Sequence, residues 1–278
     1  MTASSATPLN VVVSGAAGQV AYAFLPLLCS GRVLGPNQRI HLRLLDIPQS
    51  LEVLGGVVME LNDCAFHLVD DIVPTTDLET AFENADIAIL LGGFPRKQGM
   101  ERYTSIPSPY IEHKHVSSKD VRNCVIWGNH SNTQVPDAAH VVIQSADGSV
   151  APLADFLQDS DWIDSSLRPL VQNRGAAIIK ARKLSSAMSV GAAIAGHMND
   201  WLFGSSELVS MAILSTGNKY GVPDDLIYSF PVKCLGHGEY QVANVAVSPA
   251  IAKLMQVSTD ELQGEKVEAF SQVDNSHV

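Results

Sequence analysis

Apolar and polar positions alternate along the chain between short runs rich in Val, Ile and Leu and longer stretches with helical spacing. The first run, residues 9–14, ends at Gly15-Ala16-Ala17-Gly18, and the apolar stretch 20–28 behind it suits a helix. This predicts strand, glycine turn, helix. Residues 40–45 form a second strand-like run closed by Asp46, and a third strand-and-turn passage falls at 71–76. A helical stretch, 78–84, precedes a fourth strand at 86–91. Strands alternating with helices predict an α/β fold built on a doubly wound parallel sheet.

After Arg102 the pattern breaks. Residues 103–109 hold two prolines and no periodicity, which reads as a loop or a scar. A strand-like run at 121–127 leads into the polar turn Gly128-Asn129-His130-Ser131, and 141–144 is a further strand. Residues 171–201 read as a long helical stretch interrupted by small residues. The runs 208–214 and 226–232 read as an antiparallel pair, with turn-forming residues at 217–218 and 221–225 between them. Residues 248–270 form the final helix, with Pro249 in its first turn.

Composition narrows the functions. The hydrophobic share of 46% over 278 residues fills a substantial core, and no apolar run nears the roughly 20 residues that cross a bilayer, so no membrane role is expected. A net charge of -11 with scattered Lys and Arg argues against nucleic acid. The first ten residues lack the features of a signal or transit peptide, and the last three are not Ser-Lys-Leu, so the cytoplasm is the expected compartment. Cys29, Cys64, Cys124 and Cys234 are spaced poorly for zinc or a disulfide framework, and reduced, mostly buried thiols with no metal site are expected.

Gly15-x-x-Gly18-x-x-Ala21 sits between a predicted strand and helix, where a dinucleotide fingerprint belongs. Gly15 permits the tight turn, Gly18 lets a pyrophosphate approach the backbone, and small Ala21 lets the helix pack close to the sheet. The plainer alternative is an ordinary strand-to-helix turn. Asp46 at the end of the next strand favours the first reading, because a carboxylate there accepts ribose hydroxyls and repels a 2′-phosphate, selecting NAD over NADP. On the loop after the fourth strand, Arg96 and Arg102 suit an anionic substrate, since guanidinium grips carboxylate through paired hydrogen bonds. A basic surface loop is the alternative. His130, at a strand end, titrates near neutrality and suits proton transfer to and from an alcohol, although spacing alone does not single it out among nine histidines.

Together these segments resemble the cytosolic, NAD-dependent malate dehydrogenases. The matching motifs are Gly15-Ala16-Ala17-Gly18-Gln19-Val20-Ala21-Tyr22, Leu44-Leu45-Asp46-Ile47, the 59–65 run, the Arg96 to Arg102 loop, Ile126-Trp127-Gly128-Asn129-His130-Ser131, the 182–187 run and Tyr220-Gly221-Val222-Pro223-Asp224-Asp225. The resemblance implies an incomplete Rossmann-type domain over 1–116 and an α/β catalytic domain with antiparallel strands over 117–278. It implies hydride exchange between NAD and C2 of malate, giving oxaloacetate, in a homodimer. By position, residues 15–21 and Asp46 would hold NAD, and Arg96 would bind the far carboxylate. Arg102 would close over the substrate, His130 would carry the proton, and Ser185 and Ser186 would lie near the nicotinamide side.

One departure is large. Between Arg102 and Val121 the family carries a further helix, a strand ending in Asn-Pro-Ala-Asn-Thr and a Leu-Asp-x-x-Arg segment, and the residues present are too few for them, since a βαβ unit alone takes about 30. The family's Asp that orients the histidine and its second substrate Arg have no counterpart. Asp120 and Asp137 are the acidic residues that would have to approach His130 in its place. Reduced activity is therefore expected, and two other readings stay open: a non-catalytic NAD-binding or interaction protein, and a chain that does not fold cooperatively.

Overall fold

The computed structural model describes residues 7–93, 118–145 and 147–275. Arg96, Arg102 and the 103–109 stretch lie outside them. The chain forms two compact units, one from Met1–Met100 with Ser186–Asn199, the other from Glu101–Ser185 with Asp200–Val278.

In the first unit, β1 (Leu9–Ser14), α1 (Gln19–Cys29), β2 (Ile40–Leu45), α2 (Leu51–Asp63), β3 (Val69–Thr75), α3 (Leu78–Phe82) and β4 (Ile87–Leu90) follow one another. The strands form one parallel sheet in the order β3-β2-β1-β4. Val11, Val12 and Val13 are all fully buried, as a central strand covered on both faces requires. On β2 the alternation shows instead: Ile40, Leu42 and Leu44 are buried, while His41 pairs with Asp71 and Arg43 donates to the carbonyls of Thr80 and Glu83. Asp77 caps α3 by accepting the N–H of Thr80 at 2.7 Å. All four expected strands are present, each within two residues of its predicted ends.

The second unit begins with β5 (Val121–Arg122), β6 (Val125–Trp127), β7 (Val135–Asp137), β8 (Val142–Gln144), β9 (Val150–Pro152) and α4 (Leu153–Leu157). The single strand expected at 121–127 is broken at Asn123, which takes a φ of 54° and accepts the N–H of Leu208 at 3.0 Å. Asn tolerates the left-handed region through its short polar side chain, so the break costs little. There follow α5 (Ser160–Trp162), a π-turn at Ile163–Leu167, α6 (Arg168–Gln172), α7 (Arg174–Arg182) and α8 (Met188–Phe203). The long helix expected over 171–201 is therefore several, and the main break comes where Lys183 closes α7 in the left-handed conformation, φ 62°. Within the first unit α8 meets α1 backbone to backbone: a Cβ on Gly191 would come 3.0 Å from Phe24 N.

The antiparallel pair is β10 (Leu208–Leu214) with β11 (Ile227–Gly236), and a third strand, β12 (Glu239–Val242), completes the sheet. Sequence reading missed β12, because its turn uses His237 and Gly238, both at positive φ, where Asn-Gly is the usual signal. Behind this sheet Trp127, Tyr228, Phe230, Val232, Ile251 and Met255 form the main core of the unit. The last helix, α9 (Pro249–Asn275), starts on Pro249 as expected and runs beyond residue 270. The cysteines are free; Cys29 and Cys234 are buried and Cys124 is half-buried, while Cys64 is exposed because it caps the surface end of α2.

Candidate active site

The glycine turn of the first unit is closed by backbone geometry. Gly15 has a φ of 64°, and a Cβ there would lie 2.6 Å from the Gly92 backbone at the end of β4. A Cβ on Gly18 would lie 3.0 Å from Gly15 O, while the residue itself is exposed. Ala21 is fully buried on α1. The N-cap of α1 is Gly18, and among the described residues no side chain caps the helix, which opens its first amides to water or to an anion.

Asp46 is held at the same place. One carboxylate oxygen accepts the N–H of Ala17 at 2.8 Å and the other the N–H of Ile47 at 2.8 Å, while Asp46 N donates to Thr75 O. Ala16 N donates to Leu45 O at 3.2 Å, so the ends of β1 and β2 are tied twice. Gln19 is exposed and Val20 half-buried at the start of α1. The structure thus brings residues 15–21 and Asp46 into one constellation. Its exposed glycine, uncapped helix and acidic neighbour fit a pyrophosphate followed by a ribose.

Ser185 is exposed after α7, and its carbonyl accepts Nη1 of Arg182 at 3.0 Å. Ser186 is buried, and its hydroxyl has no partner among the described residues.

In the second unit His130 stands on the loop after β6. Trp127 anchors that strand: it is fully buried, packs edge-on against Tyr220 with ring centres 4.7 Å apart, and donates Nε1–H to Asp137 at 3.1 Å. Asp137 also accepts the N–H of Ala139 and lies 3.7 Å from His140, so its carboxylate serves those neighbours. Asp120 ends a short 3-10 turn, Ser118–Asp120. Gly128 turns the chain with a φ of 93° and pairs with Ser229 through both backbone groups, at 3.2 and 3.0 Å. The side chain of His130 is exposed, and its N–H donates to Asn129 Oδ1 at 2.7 Å.

Sequence reading missed what holds this loop. Ser258 and Glu261, on α9, accept hydrogen bonds from Asn129, Ser131 and Thr133. The only signal was a polar stripe at helical spacing, Ser258, Glu261 and Glu265, which is indistinguishable in sequence from a solvated face. Burial, the largest influence on Glu261, raises its pKa, but the hydrogen bonds from Ser131, Thr133 and Asn129 together outweigh it and hold the carboxyl below the ordinary range.

Residues 9–108 match the NAD binding domain of lactate/malate dehydrogenase, and residues 108–273 match its alpha/beta C-terminal domain. The chain belongs to the lactate/malate dehydrogenase family. Among its relatives in that family are the cytoplasmic malate dehydrogenases of Taenia solium and Felis catus. Each is 38% identical, covering 95% of this chain and 98% and 97% of the relative. The family likeness extends to solved structures. Malate dehydrogenase from Naegleria fowleri superposes with a TM-score of 0.84 at 35% identity, covering 94% of this chain and 97% of that one. Lactate dehydrogenase of Trichomonas vaginalis, in complex with NADH and oxamate, gives 0.88 at 25% identity, covering 96% and 99%. The Taenia alignment spans 328 residues, against 278 in this chain, so at least 50 positions of that family member have no counterpart here.

Proposed function

We propose that this chain is an NAD-dependent malate dehydrogenase of the cytosolic type, acting on malate and oxaloacetate in the cytoplasm as a homodimer. The observation that carries the reading is the Gly15–Gly18 turn tied to Asp46 at the head of a parallel sheet, in a chain that belongs to this family.

When bound, NAD takes up or supplies the hydride at C2 of the substrate. Gly15, Ala16, Ala17 and Gly18 would form the turn that lets the pyrophosphate approach, Gln19, Val20 and Ala21 would present the first amides of α1 to it, and Asp46 would accept the ribose hydroxyls and disfavour a 2′-phosphate. His130 removes the C2 hydroxyl proton during oxidation and returns a proton to the carbonyl oxygen during reduction. Arg96 holds the far carboxylate and so selects a dicarboxylic acid, and Arg102 polarises the carbonyl. Ser185 and Ser186 lie on the nicotinamide side. The resemblance to the family supports these roles, as it supports a division into an NAD-binding part, 1–116, and a catalytic part, 117–278, with an internal segment lost between Arg102 and Val121.

Steady-state oxidation of NADH by the purified chain tests this. Turnover is expected with oxaloacetate and NADH, and much less with pyruvate or with NADPH; pyruvate turned over as fast as oxaloacetate would contradict the substrate assignment.

The unmatched positions of the relatives favour a second reading, in which NAD still binds and turnover is lost. Binding of NADH with no oxaloacetate-dependent oxidation is its signature.

A further inference from the structure

Three donors of the His130 loop converge on one carboxylate oxygen. Glu261 Oε2 accepts from Asn129 Nδ2 at 2.9 Å, from Ser131 Oγ at 2.5 Å and from Thr133 Oγ1 at 2.5 Å. One turn earlier on α9, fully buried Ser258 accepts the backbone N–H of Asn129 at 2.7 Å and lies 3.0 Å from Thr133 Oγ1. Glu265 Oε1 is a second acceptor for Asn129 Nδ2, at 3.1 Å. The spacing of 258, 261 and 265 puts all three on one face of the helix. Both flanks of His130 are therefore bound to α9, and Asn129 passes the restraint on by accepting the His130 N–H. Gly128 makes the approach possible, because a Cβ there would lie 2.2 Å from Ser258 Oγ.

We propose that Glu261, assisted by Ser258, is the positioning residue of His130, fixing the backbone that aims the imidazole at the substrate. This rests on the reading of His130 as the proton-transfer group. Charge-assisted hydrogen bonds to one anion are stronger than neutral ones, and three of them restrain residues 129, 131 and 133 at once. Proton transfer needs heavy atoms within hydrogen-bond reach, and misplacement by 1 Å costs about 100-fold in rate. In a chain lacking the family's orienting Asp, a backbone clamp of this kind preserves part of that geometry.

The test combines backbone hydrogen exchange over residues 128–133 with steady-state kinetics, on the full chain and its Glu261→Ala and Glu261→Gln variants. In Glu261→Ala, exchange of that segment is expected to rise and kcat for oxaloacetate reduction to fall about 10- to 100-fold. NADH affinity stays unchanged. Glu261→Gln keeps an acceptor oxygen and is expected to recover part of the rate, and it carries the test if the alanine variant does not fold. Unchanged exchange, or faster exchange with undiminished kcat, overturns the proposal. If the wild-type chain has no turnover, the functional reading fails separately, and exchange over 128–133 alone upholds or overturns the clamp.

Discussion

The backbone N–H of Ala17 donates to the Asp46 carboxylate across 2.8 Å, so the residue that closes β2 also braces the glycine turn after β1. The shape of the turn thus depends on the side chain for which cofactor selection is proposed. Asp46→Ala removes the acceptor of two backbone N–H groups and is expected to cost about 1–2 kcal/mol in urea unfolding. Asp46→Ser removes the charge that disfavours a 2′-phosphate, and the NADH-over-NADPH affinity ratio is expected to drop roughly tenfold by fluorescence titration. An unchanged ratio would show that Asp46 only braces the turn.

Gly15 and Gly93 make a paired test of the turn. A Cβ on Gly15 meets the Gly92 backbone at 2.6 Å and requires a strained positive φ, whereas one on Gly93 meets nothing within 4 Å among the described residues. Gly15→Ala is expected to destabilise by about 2 kcal/mol or more and to weaken NADH binding, and Gly93→Ala to stay within about 0.5 kcal/mol. Thermal or urea unfolding of the two variants checks this.

The first unit was legible because its central strands are short apolar runs that stop where a distinct role begins, with Ser14 before the glycine turn and Leu45 before Asp46. Local pattern and tertiary role coincide there. The second unit was less so. Asn123 breaks the strand-like run at 121–127 through a backbone conformation that sequence marks only weakly, and Lys183 ends a helix where no glycine announces it. The clamp on His130 joins residues 130 positions apart, Ser131 to Glu261, and no local pattern encodes such a pairing. The proton-transfer role proposed for His130 rests on the family resemblance, since its own neighbourhood gives no spacing signal.

Burial holds His197, on α8, below the ordinary imidazole range. The unfolded chain therefore binds a proton that the folded chain resists, and stability is expected to be full above about pH 6.5 and to decline as pH falls below it. The decline from this one group cannot exceed about 1.4 kcal/mol per pH unit. His197→Gln should flatten the stability profile in that window; an unaltered slope would contradict the assignment.

Glu261 acts at lower pH. Burial raises its pKa, but the three hydrogen bonds outweigh it and leave the folded value depressed from 4.5. The stabilisation is thus present above that value and lost as pH falls through the folded pKa. The stability gap between wild type and Glu261→Gln is expected to persist at neutral pH and to close on acidification below about pH 4, as read by unfolding at fixed temperature. A gap independent of pH would mean that the carboxylate charge plays no part.

The most direct measurement of the role given to His130 is oxaloacetate-dependent oxidation of NADH by the wild-type chain and by His130→Ala, in samples shown to unfold cooperatively. Turnover by the wild type is expected, with a fall of about 100-fold or more on removing the imidazole and the same NADH affinity in both. Equal turnover in the two proteins would contradict that role.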